Sequence, residues 1–322
     1  MASPTRPKIS RKTDISYARI LFHLATLLAL LPPYDFRNYK FKNTLWYKIY
    51  SIVILVTFSA AFMYSLRGKI NEVYPTMKTT IMVVNVLASV SYYVLNITSV
   101  TSKTFLNFHS LNNMVKNLVF IDKKLYVHNL RLKTTNRLFL IEIILQHIMI
   151  LSLFAYDFFV WSCIISYTTH KYLLFEILQK YHTHILVCLM YNLILCIKNR
   201  YGTLNELLSE VVLKRNVVRF TNSITTHING LIFKEVAMLL TKTNEMVDLF
   251  NDIYGWVMLF LNISIIASFL VALDFIIEFS SSGDSFSDEY DSEFIVLMLL
   301  WTLLALVSNN IYIFSRRLLY FP

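Results

Sequence analysis

Tyr172, Glu176, Lys180 and His184 recur every fourth residue, a spacing that lays them along one stripe of a helix. Their setting matters more than their types. The run that follows, Tyr181 to Ile197, carries no charge, yet it is too short to cross a bilayer unless the helix begins near Tyr172. A charge near the bilayer centre costs about 2.5–3.5 kcal/mol on insertion scales, so such a side chain faces protein or water rather than lipid. Lys180 would lie about 12 Å deep by helical rise, with Glu176 one turn nearer the surface at the favourable i,i+4 spacing. Two readings follow. The stripe lines a water-filled pocket for a small ligand, or Glu176 and Lys180 neutralise one another inside the bundle.

Asp157 and Asp274 each fall about one turn inside the end of an apolar stretch, and with Glu176 they would give an outward cavity a negative lining. Tyr156 and Trp161 add aromatic surface beside them, suited to a small organic ligand recognised by shape with few polar contacts. Glu142 and Gln146 share a face at the other end of the same stretch. Ordinary helix packing and interfacial anchoring would also account for each of these singly.

Other chemistries find less support. His182 and His184 point to opposite sides of a helix, which argues against a metal site. Cys163, Cys188 and Cys196 form no Cys-x-x-Cys pair and read as free thiols. His147, His170 and the serines offer no nucleophile spacing, and there is no Gly-x-Ser-x-Gly elbow, so an enzyme is not expected. With five Gly in the chain, none within five residues of another, phosphate-cradling loops and dinucleotide folds are excluded. No cofactor and no nucleic-acid partner are called for. The sequons Asn96-Ile-Thr98 and Asn262-Ile-Ser264 lie within apolar stretches that the glycosylating enzyme does not reach.

The elements that would hold these residues follow from composition. Of 322 residues, 56% are hydrophobic, above the soluble range even before Gly is counted, so the partner of most of this surface is a lipid bilayer. Stretches long enough to span it lie at about 49–66, 79–102, 143–161, 172–197, 253–273 and 294–315, none of them broken by Pro. The expected fold is all-α: a polytopic transmembrane helical bundle of six spans. A seventh apolar run, Ile20 to Leu31, is 12 residues long and is stopped by Pro32-Pro33, which suits a re-entrant or interfacial helix within an N-terminal segment 1–43 ahead of the membrane domain 44–322.

Lys and Arg accumulate on the cytoplasmic side. With an inside N-terminus, 25 of the 30 basic residues face the cytoplasm, and the outer segment from Glu278 to Glu293 holds six acids and no base. Both ends of the chain are then cytoplasmic. The inner segments 103–141 and 198–251 are expected to be helical. In the second, Leu204, Leu207, Leu208, Val211 and Val212 repeat at helical offsets, and Val236, Leu239, Leu240, Val247 and Phe250 form a second stripe. Such stripes must be covered by each other, by extensions of the spans or by other subunits.

Several spaced patterns together resemble the insect gustatory receptor family, a branch of the insect chemoreceptor superfamily. An opening apolar segment ending in Pro is similar to Leu28 to Pro32, with Ala29 where the family commonly has Gly. Arg200, Tyr201, Leu204 and Asn205 resemble the pattern after the fourth span. Asn251, Tyr254 and Gly255 resemble the one entering the fifth, and Trp301 the aromatic of the next. The resemblance implies a plasma-membrane subunit of a ligand-gated cation channel, a homo- or hetero-tetramer with related subunits, that binds a small-molecule tastant from outside. It also implies a seventh, pore-lining helix with a Thr-Tyr to Gln-Phe motif, which is not found before the sequence ends at Pro322. A truncated gene model or splice form, or a naturally shortened subunit that does not conduct alone, is the expectation. An odorant receptor of the same superfamily and a multi-span transporter are the alternatives, the latter disfavoured because spans free of Pro give no broken helices for a midplane site.

Overall fold

The computed structural model of the chain describes residues 19–76, 79–127, 136–164, 171–172, 174–218, 223–281, 296 and 300. It is an all-α bundle. Among the described residues seven helices run α1 Arg19–Leu27, α2 Leu45–Gly68, α3 Thr79–Thr101, α4 Phe108–Val127, α5 Asn136–Ile164, α6 Leu174–Val218 and α7 Ser223–Ser281. Among the described residues four helical stretches are long and apolar enough to cross a membrane: Leu45–Val73, Met82–Leu106, Leu174–Ser209 and Phe233–Asp274. A shorter apolar stretch, Ile144–Phe159, lies in α5. The stretch 294–315 lies outside the described residues but for positions 296 and 300.

Length shows how these helices are used. The 59 residues of α7 and 45 of α6 are about 90 and 70 Å at 1.5 Å per residue, against about 30 Å of hydrocarbon. Each therefore runs well beyond one bilayer face. The end of the bundle that carries these extensions is called the basic end below, after its Lys and Arg content, and the opposite one the far end.

At the basic end α4 packs antiparallel to the first half of α7, stitched by Lys124–Glu235 (2.8 Å) and Asn117–Glu245 (3.4 Å). The two apolar stripes of α6 and α7 cover each other: Leu207 and Val236 are buried together, with Leu208 and Leu240 against them, and Leu204 and Leu239 are wholly enclosed. Arg200 of α6 is enclosed too, held by Asp122 of α4 at 2.8 Å and by its own helix through the Cys196 carbonyl. Within the bundle α7 is central, packing along α3, α4 and α6.

The N-terminal segment folds back into this bundle. Helix α1 ends in a Schellman turn, in which Leu30 N–H donates to the Ala25 carbonyl (2.7 Å) and Ala29 N–H to that of Thr26 (3.1 Å). The turn needs a left-handed residue at Ala29, whose φ is 56°. That is a glycine conformation, and it gives a physical reason for a glycine at this position. Pro32 and Pro33 follow and prevent the helix from resuming.

A two-residue hairpin, β1 Tyr34–Asp35 and β2 Lys40–Phe41, comes next, pairing Tyr34 with Phe41 and Asp35 with Lys40. Asp35 holds its turn through the backbone N–H groups of Arg37 (2.9 Å) and Asn38 (3.2 Å). Lys42, 2.8 Å away, and these donors keep the Asp35 carboxyl well below the usual carboxylate range. Thr44 then caps α2, its hydroxyl accepting from Tyr47 N–H.

Candidate functional site

The far-end site begins where α2 does not stop. Past Gly68 the chain continues as a π-helical turn, Lys69–Val73, and a 3₁₀ turn, Tyr74–Thr76. This extension brings Lys69, whose side chain is 3% exposed, onto the carboxylate of Glu176 at the start of α6. The same Glu176 oxygen accepts from Ser89 Oγ of α3 at 2.6 Å. One carboxylate therefore fastens three helices. Glu176 takes its charge partner from a segment 107 residues away, and Lys180 sits half-buried one turn deeper.

Tyr172 closes the site from above. Its ring lies over Gly68, where an added Cβ would overlap it, so only glycine admits the contact. Its hydroxyl donates to Glu72 (2.6 Å), its carbonyl accepts from Ser65 Oγ (2.6 Å), and Lys171 stacks on the ring at 4.7 Å. Below the ion pair lies an aromatic layer. Phe62 of α2 stacks on Tyr93 of α3 at 4.2 Å, and Phe58 meets Phe175 of α6 edge to face at 6.0 Å. Ser59 and Tyr93 share a hydrogen bond of 2.9 Å within it.

Phe58 also touches His182, at 5.3 Å between ring centres, and His182 links the site to the N-terminal segment. Its Nε2 lies 3.1 Å from the Leu28 carbonyl and its Nδ1 2.8 Å from the side-chain amide of Asn96. A carbonyl can only accept, so Nε2 carries the proton. The Asn96 atom placed against Nδ1 is Oδ1, which also accepts from Thr183 Oγ1 (3.3 Å); a neutral ring with its proton on Nε2 accepts from Asn96 only with that amide turned over. Leu28 is the C-cap of α1, whose carbonyl has no partner in its own helix; His182 supplies one, as Tyr50 does for Leu27. Backbone that leaves helical geometry at membrane depth is tolerated where protein buries and satisfies it, and here both conditions are met.

The four-residue stripe does not stay on one neighbour. Tyr172 and Glu176 face α2 and α3, whereas His184 turns to α5, its ring 5.2 Å from that of His147 and its Nε2 3.5 Å from Cys188 Sγ. Eight residues advance a helix by about 80°, enough to change partner. On α5, Asp157 is buried and Tyr156 half-buried, and on α7 Asp274 is half-buried. The Trp161 side chain and the whole of Trp301 lie outside the described residues.

A family model described as 7tm Chemosensory receptor matches residues 18–320. The chain belongs to that family. A search of curated proteins returned no match. In this chemoreceptor the spaced pattern positions have distinct structural work. Arg200, Leu204 and Tyr254 are enclosed, Tyr201 bonds to Asn244 of α7, and Asn205, Asn251 and Gly255 are exposed. Lys69, Ser89, Asn96 and His182 escaped the sequence reading as site residues. Lys69 falls between the apolar stretches 49–66 and 79–102, where nothing in the sequence ties it to Glu176; for Ser89, Asn96 and His182 the one available signal is polarity inside an apolar run.

Proposed function

We propose that this chemoreceptor is a gustatory-type subunit of a ligand-gated cation channel in the plasma membrane. In this reading it assembles as a tetramer with related subunits and binds a small organic tastant from outside. The family match over 18–320 supports the chemosensory reading; the far-end cluster supports the site. A ligand wedged among Phe58, Phe62, Tyr93 and Phe175 would part α2, α3 and α6 next to the Lys69–Glu176–Ser89 junction. Because α6 and α7 are about two and three times as long as the hydrocarbon is thick, a small tilt at that junction is carried to the basic end by rigid helices. Tyr156, Asp157, Lys180, His184 and Asp274 complete the proposed lining on the α5 and α7 sides, with Trp161.

Electrical recording tests this. Cells expressing the chain with related subunits are expected to pass a cation current when a cognate tastant is applied. Accumulation of labelled tastant without current would favour a transporter and sink the proposal.

A further inference from the structure

Lys103 takes no part in the far-end site. It is the second residue of a π-helical segment, Ser102–Leu106, that continues α3 at the basic end, and its side chain is fully enclosed with no hydrogen-bond partner for Nζ among the described residues. Tyr254 of α7 is enclosed to the same degree, and its hydroxyl also has no partner. The two meet, with Nζ 4.7 Å from the ring centre.

The side-chain hydroxyls of this segment are committed elsewhere. Ser99 Oγ donates to the Asn96 carbonyl (2.8 Å), Ser102 Oγ to that of Ile253 (2.9 Å), and Thr104 shares its hydroxyl with Ser51 (3.5 Å). Asp122, the half-buried acid on α4, is bound to Arg200 through Oδ2, and Asp252 is exposed. The Tyr254 ring face attracts the charged form of the amine but satisfies few of its three N–H donors. What remains is a pair of buried donors, an amine and a phenol, to neither of which a described residue supplies an acceptor. Buried groups of this kind in native proteins mark an ion or water absent from the protein's own atoms.

We propose that Lys103 and Tyr254 bind a halide-sized inorganic anion, chloride in the cell, between the π segment and α7. A guest that only accepts hydrogen bonds and carries one negative charge answers both donors and balances the ammonium. Complete enclosure of both side chains excludes a lipid headgroup. The anion would stiffen the α3–α7 junction, which Ser102 and Asn107 already fasten to the carbonyls of Ile253 and Asp252.

The test is thermal unfolding of the purified full chain in lipid nanodiscs, titrated with sodium chloride against sodium gluconate at constant ionic strength. The wild-type midpoint should rise saturably with chloride, and bromide should substitute. Lys103→Met should abolish the chloride-dependent part. Tyr254→Phe, which keeps the ring and loses the hydroxyl, should raise the half-saturating chloride concentration on the order of tenfold, as expected for loss of one hydrogen bond to a charged group. Equal wild-type midpoints in chloride and gluconate would overturn the proposal, as would an unchanged chloride response in Lys103→Met. If Lys103→Met does not fold, an unshifted half-saturation in Tyr254→Phe overturns it.

Discussion

His182 of α6 donates from Nε2 to the carbonyl of Leu28, 154 residues earlier in the chain, across 3.1 Å. The bond closes the C-terminus of a short helix that cannot satisfy its own last carbonyls, and it joins the N-terminal segment to the helix that carries Glu176. Replacing His182 by Phe keeps the ring against Phe58 and leaves the Leu28 carbonyl and the Asn96 amide without it. The expected cost is about 2–4 kcal/mol, from two groups at roughly 1–3 kcal/mol each with partial relaxation, measured as lost thermal stability of the purified chain. An unaltered melting midpoint would mean that the bond is not made.

Ala29 offers the opposite case, a substitution that should stabilise. A left-handed non-glycine residue costs about 1–2 kcal/mol, partly offset by the greater unfolded-state freedom of glycine, about 0.5–1 kcal/mol. Ala29→Gly is therefore expected to add about 0.5–1 kcal/mol, and Ala29→Val to lose more than that. Denaturation of the three forms side by side checks the order; a destabilised glycine variant would contradict the turn geometry.

The junction between Lys69 and Glu176 should behave as a coupled pair. Removing either charge alone, by Lys69→Met or Glu176→Gln, leaves the other buried and is expected to cost about 3–5 kcal/mol. The double variant should cost less than the sum by about 1–3 kcal/mol. Additive losses in a double-mutant cycle would show that the two side chains do not meet.

The hairpin should weaken in acid. The folded-state pKa of Asp35 is depressed, chiefly by Lys42 and then by Asn38. Its stabilising contribution is thus full above the unfolded carboxylate value, about pH 4, and is lost as pH falls through the lower folded value. Wild type and Asp35→Asn should differ in melting midpoint by a constant amount between pH 6 and 8, a gap that narrows in acid. A gap that widens in acid would reverse the assignment.

Composition and span length were enough to read an all-α membrane bundle, and the spaced patterns around Arg200 and Tyr254 were enough to read the chemosensory family. The site was only half legible. Glu176 stood out as a charge inside an apolar run, but its nearest candidate partner in sequence was Lys180. The contact to Lys69 depends on a helix that continues past Gly68 as a π turn, for which no local pattern exists. His182 was read by its angle to His184, and nothing short of the tertiary fold could set it against Leu28. Ala29 was visible as a departure from the family; only the backbone shows what it costs.

Whether the far-end junction responds to ligand is read from the tastant dose–response of cation current, with Glu176→Gln compared with wild type and surface amounts measured in parallel. The expected result is a half-activating concentration shifted at least about tenfold, 1.4 kcal/mol or more, with surface amounts comparable. A superimposable dose–response at equal surface amounts would contradict it.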